Sequence, residues 1–364
     1  VSILHEKRWY ANCMVIIISE SQQLFQGKIV FDVDGYPLYT INIEKKQRKE
    51  YPMKNYEKAI AVINEVKKVV VGKEECIVKT MCALLAGGHV LLEDIPGVGK
   101  TTMAKAFARS MQLTSNRMQF TPDVMPSDIV GFKLYRPNTQ TFEYQNGAVL
   151  CNLFLGDEIN RTSPRTQSAL LEVMEEGRVS VEGEEIVIPK PFFVIATQNP
   201  YGSAGTQRMP ESQLDRFMVC LTMGYPDLEE EIAIVKGKCH SVMAEEVTQV
   251  IDRDELLTLM EEAGNLYIDD KVYGYIGRLT QQTRMMDGIE LGLSPRGTIA
   301  VAKMAQALAY VTGRQYVTPD DVKTVFTDVA AHRLRLSATS QEGYAAARSM
   351  CEAVLKMTPA PSVL

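Results

Sequence analysis

The feature that most restricts this chain is a short apolar strand running straight into a glycine loop and then a helix. His89-Val90-Leu91-Leu92 leads into Glu93-Asp94-Ile95-Pro96-Gly97-Val98-Gly99-Lys100-Thr101-Thr102, and a helix is expected from Met103 to Met111. Glycines let backbone N–H groups curl inward onto an anion, and the helix that follows presents its positive end to the same charge. Lys100 is placed to reach β- and γ-phosphates, and the Thr101 hydroxyl to ligate Mg²⁺. The run Asp94, Ile95, Pro96, Gly97, Val98, Gly99, Lys100, Thr101 and Thr102 is therefore the expected phosphate-holding segment. Asp94 stands where the strict spacing has glycine, so the tight turn has to begin at Pro96-Gly97.

Around this loop the chain alternates between two periods. Strand candidates are His89–Leu92, Arg117–Phe120, Leu153–Leu155, Phe192–Ala196 and a β-like run at Phe217–Met223, separated by amphipathic helical stretches. Short apolar runs between helices predict an α/β domain with a parallel sheet, over about residues 53–225. After Pro226 the strands disappear, and 226–336 reads as a smaller all-α domain, with 337–364 a C-terminal helix or tail. Residues 1–52 read differently: β-like stretches lie around 13–18 and 29–42, closed by the basic run Lys45-Lys46-Gln47-Arg48-Lys49. One expectation makes Met53 the start and 1–52 translated upstream sequence; the other makes 1–52 a small extension in its own right.

At 364 residues the chain has room for two domains with a core in each. Its net charge of −6 argues against nucleic acid as principal partner, because phosphate neutralisation calls for a basic surplus. Seven cysteines without a CxxC pair read as reduced thiols, and four scattered histidines lack metal-ligand spacing. No apolar run is long enough to span a bilayer, and the expected location is the cytoplasm.

Four further elements carry chemistry. The apolar run Leu153-Phe154-Leu155 ends in Gly156-Asp157-Glu158, placing Asp157 on a Mg²⁺ shell and Glu158 beside an attacking water. The strand Phe193–Thr197 ends at Gln198-Asn199-Pro200, where the Asn199 amide could bond the γ-phosphate or its water, unless Asn199-Pro200 is simply a turn. Arg216, in Gln213-Leu214-Asp215-Arg216-Phe217, either pairs with Asp215 or Glu211 or enters a neighbouring subunit's site; Arg208 is its rival for that role. Ser294-Pro295-Arg296-Gly297 opens a helix with Ser294 as cap, and Arg296 could reach back to the γ-phosphate.

In this order the five elements resemble AAA+ ATPases. More narrowly, Asp157-Glu158-Ile159-Asn160-Arg161, Thr166-Gln167-Ser168-Ala169-Leu170-Leu171-Glu172, Ala196-Thr197-Gln198-Asn199-Pro200 and Gln213-Leu214-Asp215-Arg216-Phe217 resemble the MoxR family over residues 55–336. The resemblance implies a P-loop AAA+ core with a parallel five-stranded sheet and helices on both faces, then a small all-α lid. It implies ATP and Mg²⁺ as cofactors, a self-assembled hexameric ring, and chaperone-like remodelling or metal insertion. Members commonly act on a protein client with a von Willebrand factor A-domain partner.

Two hairpins are expected, at 131–144 and across Val179–Ile188; the first resembles the helix-2 insert of this clade and the second precedes the Asn-tipped strand. Arg333 and Arg335 read as a solvated basic helix end. Three rival functions are a GTPase, for which the Asn-Lys-x-Asp guanine reader is absent, a DNA-remodelling ring, and a binding module that switches without turnover, which Glu158 disfavours.

Overall fold

The computed structural model describes residues 28–30, 40–42, 55–93, 98–198, 209–226, 228–240, 247–337 and 343–362. The chain divides into two compact units, Val1–Tyr51 and Pro52–Leu364. In the first, β1 (Lys28–Val30) and β2 (Thr40–Asn42) pair antiparallel with Ile29 opposite Ile41. The stretch expected around 13–18 lies outside the described residues.

The second unit begins with α1 (Tyr56–Lys67), whose Ala59, Val62, Ile63 and Val66 recur at helical spacing and are buried. There follow α2 (Glu74–Leu85), β3 (Val90–Glu93), α3 (Lys100–Ser110), β4 (Ser115–Gln119), α4 (Pro126–Val130), β5 (Gly131–Arg136), β6 (Thr141–Asn146), β7 (Leu153–Asp157), α5 (Pro164–Glu176), β8 (Arg178–Val181), β9 (Glu184–Val187) and β10 (Phe193–Gln198). The chain goes on through α6 (Glu211–Leu214), β11 (Val219–Leu221), α7 (Leu228–His240), α8 (Arg253–Gly264), α9 (Asp270–Met285), β12 (Ile289–Leu291), α10 (Pro295–Val311), α11 (Pro319–Ala330), β13 (Arg335–Leu336) and α12 (Tyr344–Met357).

Five strands form one parallel sheet in the order β11-β3-β10-β7-β4. The strand period of two divides their side chains between two cores. Val90, Leu92, Leu153, Leu155, Phe193, Ile195, Val219 and Leu221 point to the face packed by α1, α2 and α3, and that core continues into the C-terminal helices. Leu91, Phe154, Val194, Ala196 and Cys220 point to the other face, against Leu170, Leu171 and Val173 of α5. This is the expected α/β core with helices on both faces and a helical lid.

Both expected hairpins form, with β5 paired to β6 and β8 to β9. The lid departs from expectation in one respect: β12 and β13 pair antiparallel within it, so strands do not vanish after Pro226. Each has only two or three residues, too few for the period-two pattern to stand out in a sequence.

Candidate active site

All five core strands run the same way, so their C-terminal ends share one edge of the sheet. Beyond β3 on that edge lies the glycine loop, of which Asp94, Ile95, Pro96 and Gly97 fall outside the described residues. Gly99 has φ +98°, a left-handed conformation that favours glycine, and it delivers the chain directly into α3 at Lys100. The helix thus begins three residues before Met103. Its first turn carries Lys100 and no acid, which leaves the positive end of the helix dipole unopposed there. Lys100 is buried, and Thr101 and Thr102 are half-buried beside it.

On the same edge, β7 brings up Asp157 and Glu158. Gly156 permits their close seating: a Cβ there would lie 3.1 Å from both Ile159 and Phe120. Asp157 is buried, with Arg117 Nε donating to its Oδ2 at 2.6 Å and the Thr197 hydroxyl reaching Oδ1 at a long 3.5 Å. Glu158 sits at φ +57°, ψ +49°, a left-handed conformation costing a non-glycine residue about 1 kcal/mol or more. Its backbone N–H donates to the Thr197 hydroxyl at 2.9 Å. Its Oε2 accepts from Gln119 Nε2 at 3.0 Å and from Arg161 Nη1 at 2.8 Å. Sequence reasoning assigned no roles to Arg117, Gln119, Arg161 or Thr197. The available signals were the i,i+2 spacing of Arg117 and Gln119 on one strand and the i,i+3 spacing of Glu158 and Arg161. β10 ends at Gln198 beside Glu93, while Asn199 and Arg208 lie outside the described residues.

Thr101 and Asp157 are hard oxygen donors, the type a divalent metal takes, and Asp157 is buried at the strand end. Among the described residues no group of three or more His, Cys, Asp and Glu is placed to hold an ion. Mg²⁺ commonly takes one or two protein ligands and completes its shell with phosphates and water.

The two arginines occupy the opposite edge. Arg216 precedes β11, which starts level with Val90, and a cavity of about 330 Å³ there is lined by Gly88, His89, Glu175, Arg216, Arg296 and Lys303, among others. Arg216 donates from Nη1 to the Leu171 carbonyl at 2.9 Å and pairs with Glu175, not with Asp215 or Glu211. Arg296 Nη2 also pairs with Glu175. The four residues of β3 span about 13 Å, and the loop lies beyond them. Glu175 and the cavity thus hold Arg296 at the far edge, about the length of β3 from its own chain's loop.

Asp215 faces the lid. Ser294, which caps α10 by accepting the Gly297 N–H at 3.0 Å, donates to both Asp215 oxygens at 2.9 and 3.0 Å. Arg333 Nε donates to Asp215 Oδ1 at 2.8 Å. Arg333 is 4% exposed, not a solvated helix end, and it also donates to the carbonyls of Phe217, Met218 and Val329. Burial pushes its guanidinium down to about 10, opposed by Asp215. Nearby, buried His89 accepts the Val194 N–H on Nδ1 at 3.0 Å, so its Nε2 donates to the Met174 carbonyl at 3.0 Å, and burial holds its pKa at about 4.

Comparison with known proteins adds to this geometry. The ATPase family associated with various cellular activities (AAA) matches residues 89–219, and the AAA lid domain matches residues 281–352. The uncharacterized protein YeaC of Bacillus subtilis is 46% identical over 274 residues, covering 75% of this chain and 86% of the relative. The chaperone MoxR1 of Mycobacterium tuberculosis is 40% identical over 284 residues, covering 76% and 75%. The protein MoxR of Methylorubrum extorquens is 29% identical, covering 82% and 93%. A crystal structure of a proposed ATPase from Cytophaga hutchinsonii superposes with a TM-score of 0.77 at 33% identity, covering 85% of this chain and 96% of that one.

Proposed function

This chain belongs to the MoxR family of AAA+ ATPases, and from that premise we propose that it hydrolyses Mg²⁺-bound ATP between the subunits of a head-to-tail ring, probing and remodelling a protein partner. The observation that carries this reading is the division of the catalytic groups between two edges of one sheet. Lys100, Asp157 and Glu158 stand at one edge, Arg216 and Arg296 at the other. Neither set makes a complete site in one chain.

In this reading the backbone of the loop and the α3 N-terminus cradle the phosphates, and Lys100 carries charge to the β- and γ-oxygens. Thr101 and Asp157 hold Mg²⁺, which when bound offsets the charge building on the leaving phosphates. Glu158 orients the attacking water and accepts its proton at a carboxylate oxygen, while Arg161 and Gln119 hold its Oε2. Asn199, following β10, is assigned to the γ-phosphate or that water. Arg216 and Arg296 of the next subunit enter from their own far edge to stabilise the transferring group. The two contact patches lie at opposite edges of the chain, so the association is heterologous and closes as a ring, most simply a hexamer.

Lid motion relative to the core is the proposed output, and Asp215 supports it by joining Arg216's own loop to Ser294 and Arg333 of the lid. A protein client fits the relative named as a chaperone, and a von Willebrand factor A-domain co-worker is what the MoxR resemblance implies. Within it, metal insertion is the narrower variant. Cys76, Cys82, Cys151, Cys220 and Cys351 are buried as thiols, which suits the cytoplasm proposed as its setting. Among the described residues no helix is long and apolar enough to cross a membrane.

Phosphate release from ATP by the wild type and by Glu158→Gln tests the enzymatic core of this reading. Wild-type turnover that Glu158→Gln abolishes supports it, and equal rates in the two would remove Glu158 from catalysis. Adding DNA to the same assay tests the DNA-remodelling alternative, which predicts stimulation.

A further inference from the structure

Two guanidinium groups side by side repel one another unless something negative lies between them. Here that charge is Glu175, whose Oε2 pairs with Arg216 Nη1 and whose Oε1 pairs with Arg296 Nη2. Each carboxylate oxygen takes one arginine, and each arginine gives it a single nitrogen. The remaining nitrogens of both forks are left for another anion. Lys303 lines the same cavity, so the cluster keeps a positive balance even with Glu175 charged.

The bridge is also anchored. Leu171 and Glu175 stand one turn apart on α5, and both hold Arg216, one by its carbonyl and one by its carboxylate. Arg296 comes from the lid, at the first turn of α10, whose cap Ser294 is bonded to Asp215. Glu175 therefore ties together two arginines that come from different parts of the fold. A lone exposed ion pair contributes little, but a carboxylate shared between two arginines fixes their spacing, on which joint recognition of one phosphoryl group depends.

We propose that Glu175 is a positioning residue that yokes Arg216 and Arg296 into one two-pronged anion clamp for the neighbouring subunit's nucleotide. The proposal rests on the reading that these arginines act in trans, and the test separates the two. One chain carries Lys100→Ala, so that it only donates arginines. The other carries Arg216→Ala and Arg296→Ala, so that it only donates a nucleotide site. Each alone is inactive, and mixing them before assembly restores ATP hydrolysis at mixed interfaces.

Adding Glu175→Ala to the arginine donor is expected to lower the recovered kcat about tenfold, with KM for ATP moved less, as for a lost transition-state contact. Glu175→Asp in the same chain recovers part of that loss. Glu175→Ala in the site donor, where there are no arginines to hold, leaves recovery as it was. Glu175 is 37% exposed in its side chain, and the melting temperature of Glu175→Ala is expected to match the wild type, which separates positioning from folding. No recovery in the unmodified mixture overturns the trans reading and the yoke with it. Recovery that is indifferent to Glu175→Ala in the arginine donor overturns the yoke alone.

Discussion

The Thr197 hydroxyl accepts the backbone N–H of Glu158 at 2.9 Å, joining the end of β10 to the one left-handed residue at the end of β7. The bond lies just past the last pair of these two parallel strands, Ala196 opposite Gly156. Thr197 is buried, and its hydroxyl also reaches the Asp157 carboxylate. One side chain thus sets both carboxylates.

Thr197→Ala should therefore reduce kcat by about ten- to a hundredfold, because the Glu158 backbone loses the acceptor that supports its strained conformation. Thr197→Ser keeps the hydroxyl and should keep most activity. The stability cost of Thr197→Ala should be about 1–2 kcal/mol, the cost of leaving a buried N–H unpaired. Steady-state phosphate release and urea unfolding on the three proteins check both numbers.

Arg117 and a divalent cation contend for one carboxylate. Removing the guanidinium by Arg117→Ala should lower the Mg²⁺ concentration needed for half-maximal ATPase activity several-fold, roughly the effect of one charge at short range near a surface. A Mg²⁺ titration at fixed ATP measures it. An unchanged midpoint would mean that Arg117 leaves Asp157 at no cost.

At the junction of core and lid, Asp215→Ala leaves the buried Arg333 guanidinium without its carboxylate. The expected loss is about 2–4 kcal/mol, moderated by the carbonyls that Arg333 also bonds. Chemical denaturation gives the value. Asp215→Asn, which keeps an acceptor for Ser294 and Arg333, should lose less.

Acid should destabilise the protein before its carboxylates titrate. His89 has a folded pKa of about 4 against an unfolded value of 6.5, and buried His332, repelled by Arg333, is also held well below that value. Between those values the unfolded chain binds more protons, so stability rises with pH. The contribution is complete above about 6.5 and is lost as pH falls towards 4, at about 1.4 kcal/mol per unit for each histidine. Denaturant midpoints at pH 7 and pH 5 measure the slope, which His89→Gln should flatten.

How far the fold could be read from the residues depended on whether an element's cause is local. β3, β7 and β10 are apolar runs ending in chemistry-bearing residues, and the α10 cap is spelled out by Ser294-Pro295; each needs only its neighbours to be recognised. Arg333 was misread because what buries it is Asp215, 118 residues earlier in the chain. The placement of Arg296 beside Glu175 was not legible for the same reason, since no periodicity says which edge of the sheet a lid helix will approach. Arg117 and Gln119 lie on a strand whose side chains are largely exposed, so burial gave no hint of them. Their role follows from register alone, which sets Gln119 opposite Asp157.

α5 has a consequence beyond packing. It starts just after the turn that carries Glu158 and Arg161 and runs 13 residues, about 20 Å, to Glu176, one residue past Glu175. Near one end Gln167 donates to the Ile159 and Thr162 carbonyls of that turn; at the other Glu175 holds the two arginines that, in the proposed ring, serve the next subunit. If the proposed head-to-tail ring forms, news of turnover carried along that rod can pass round it in only one sense. A stalled subunit would silence the neighbour on one side and leave the neighbour on the other side working.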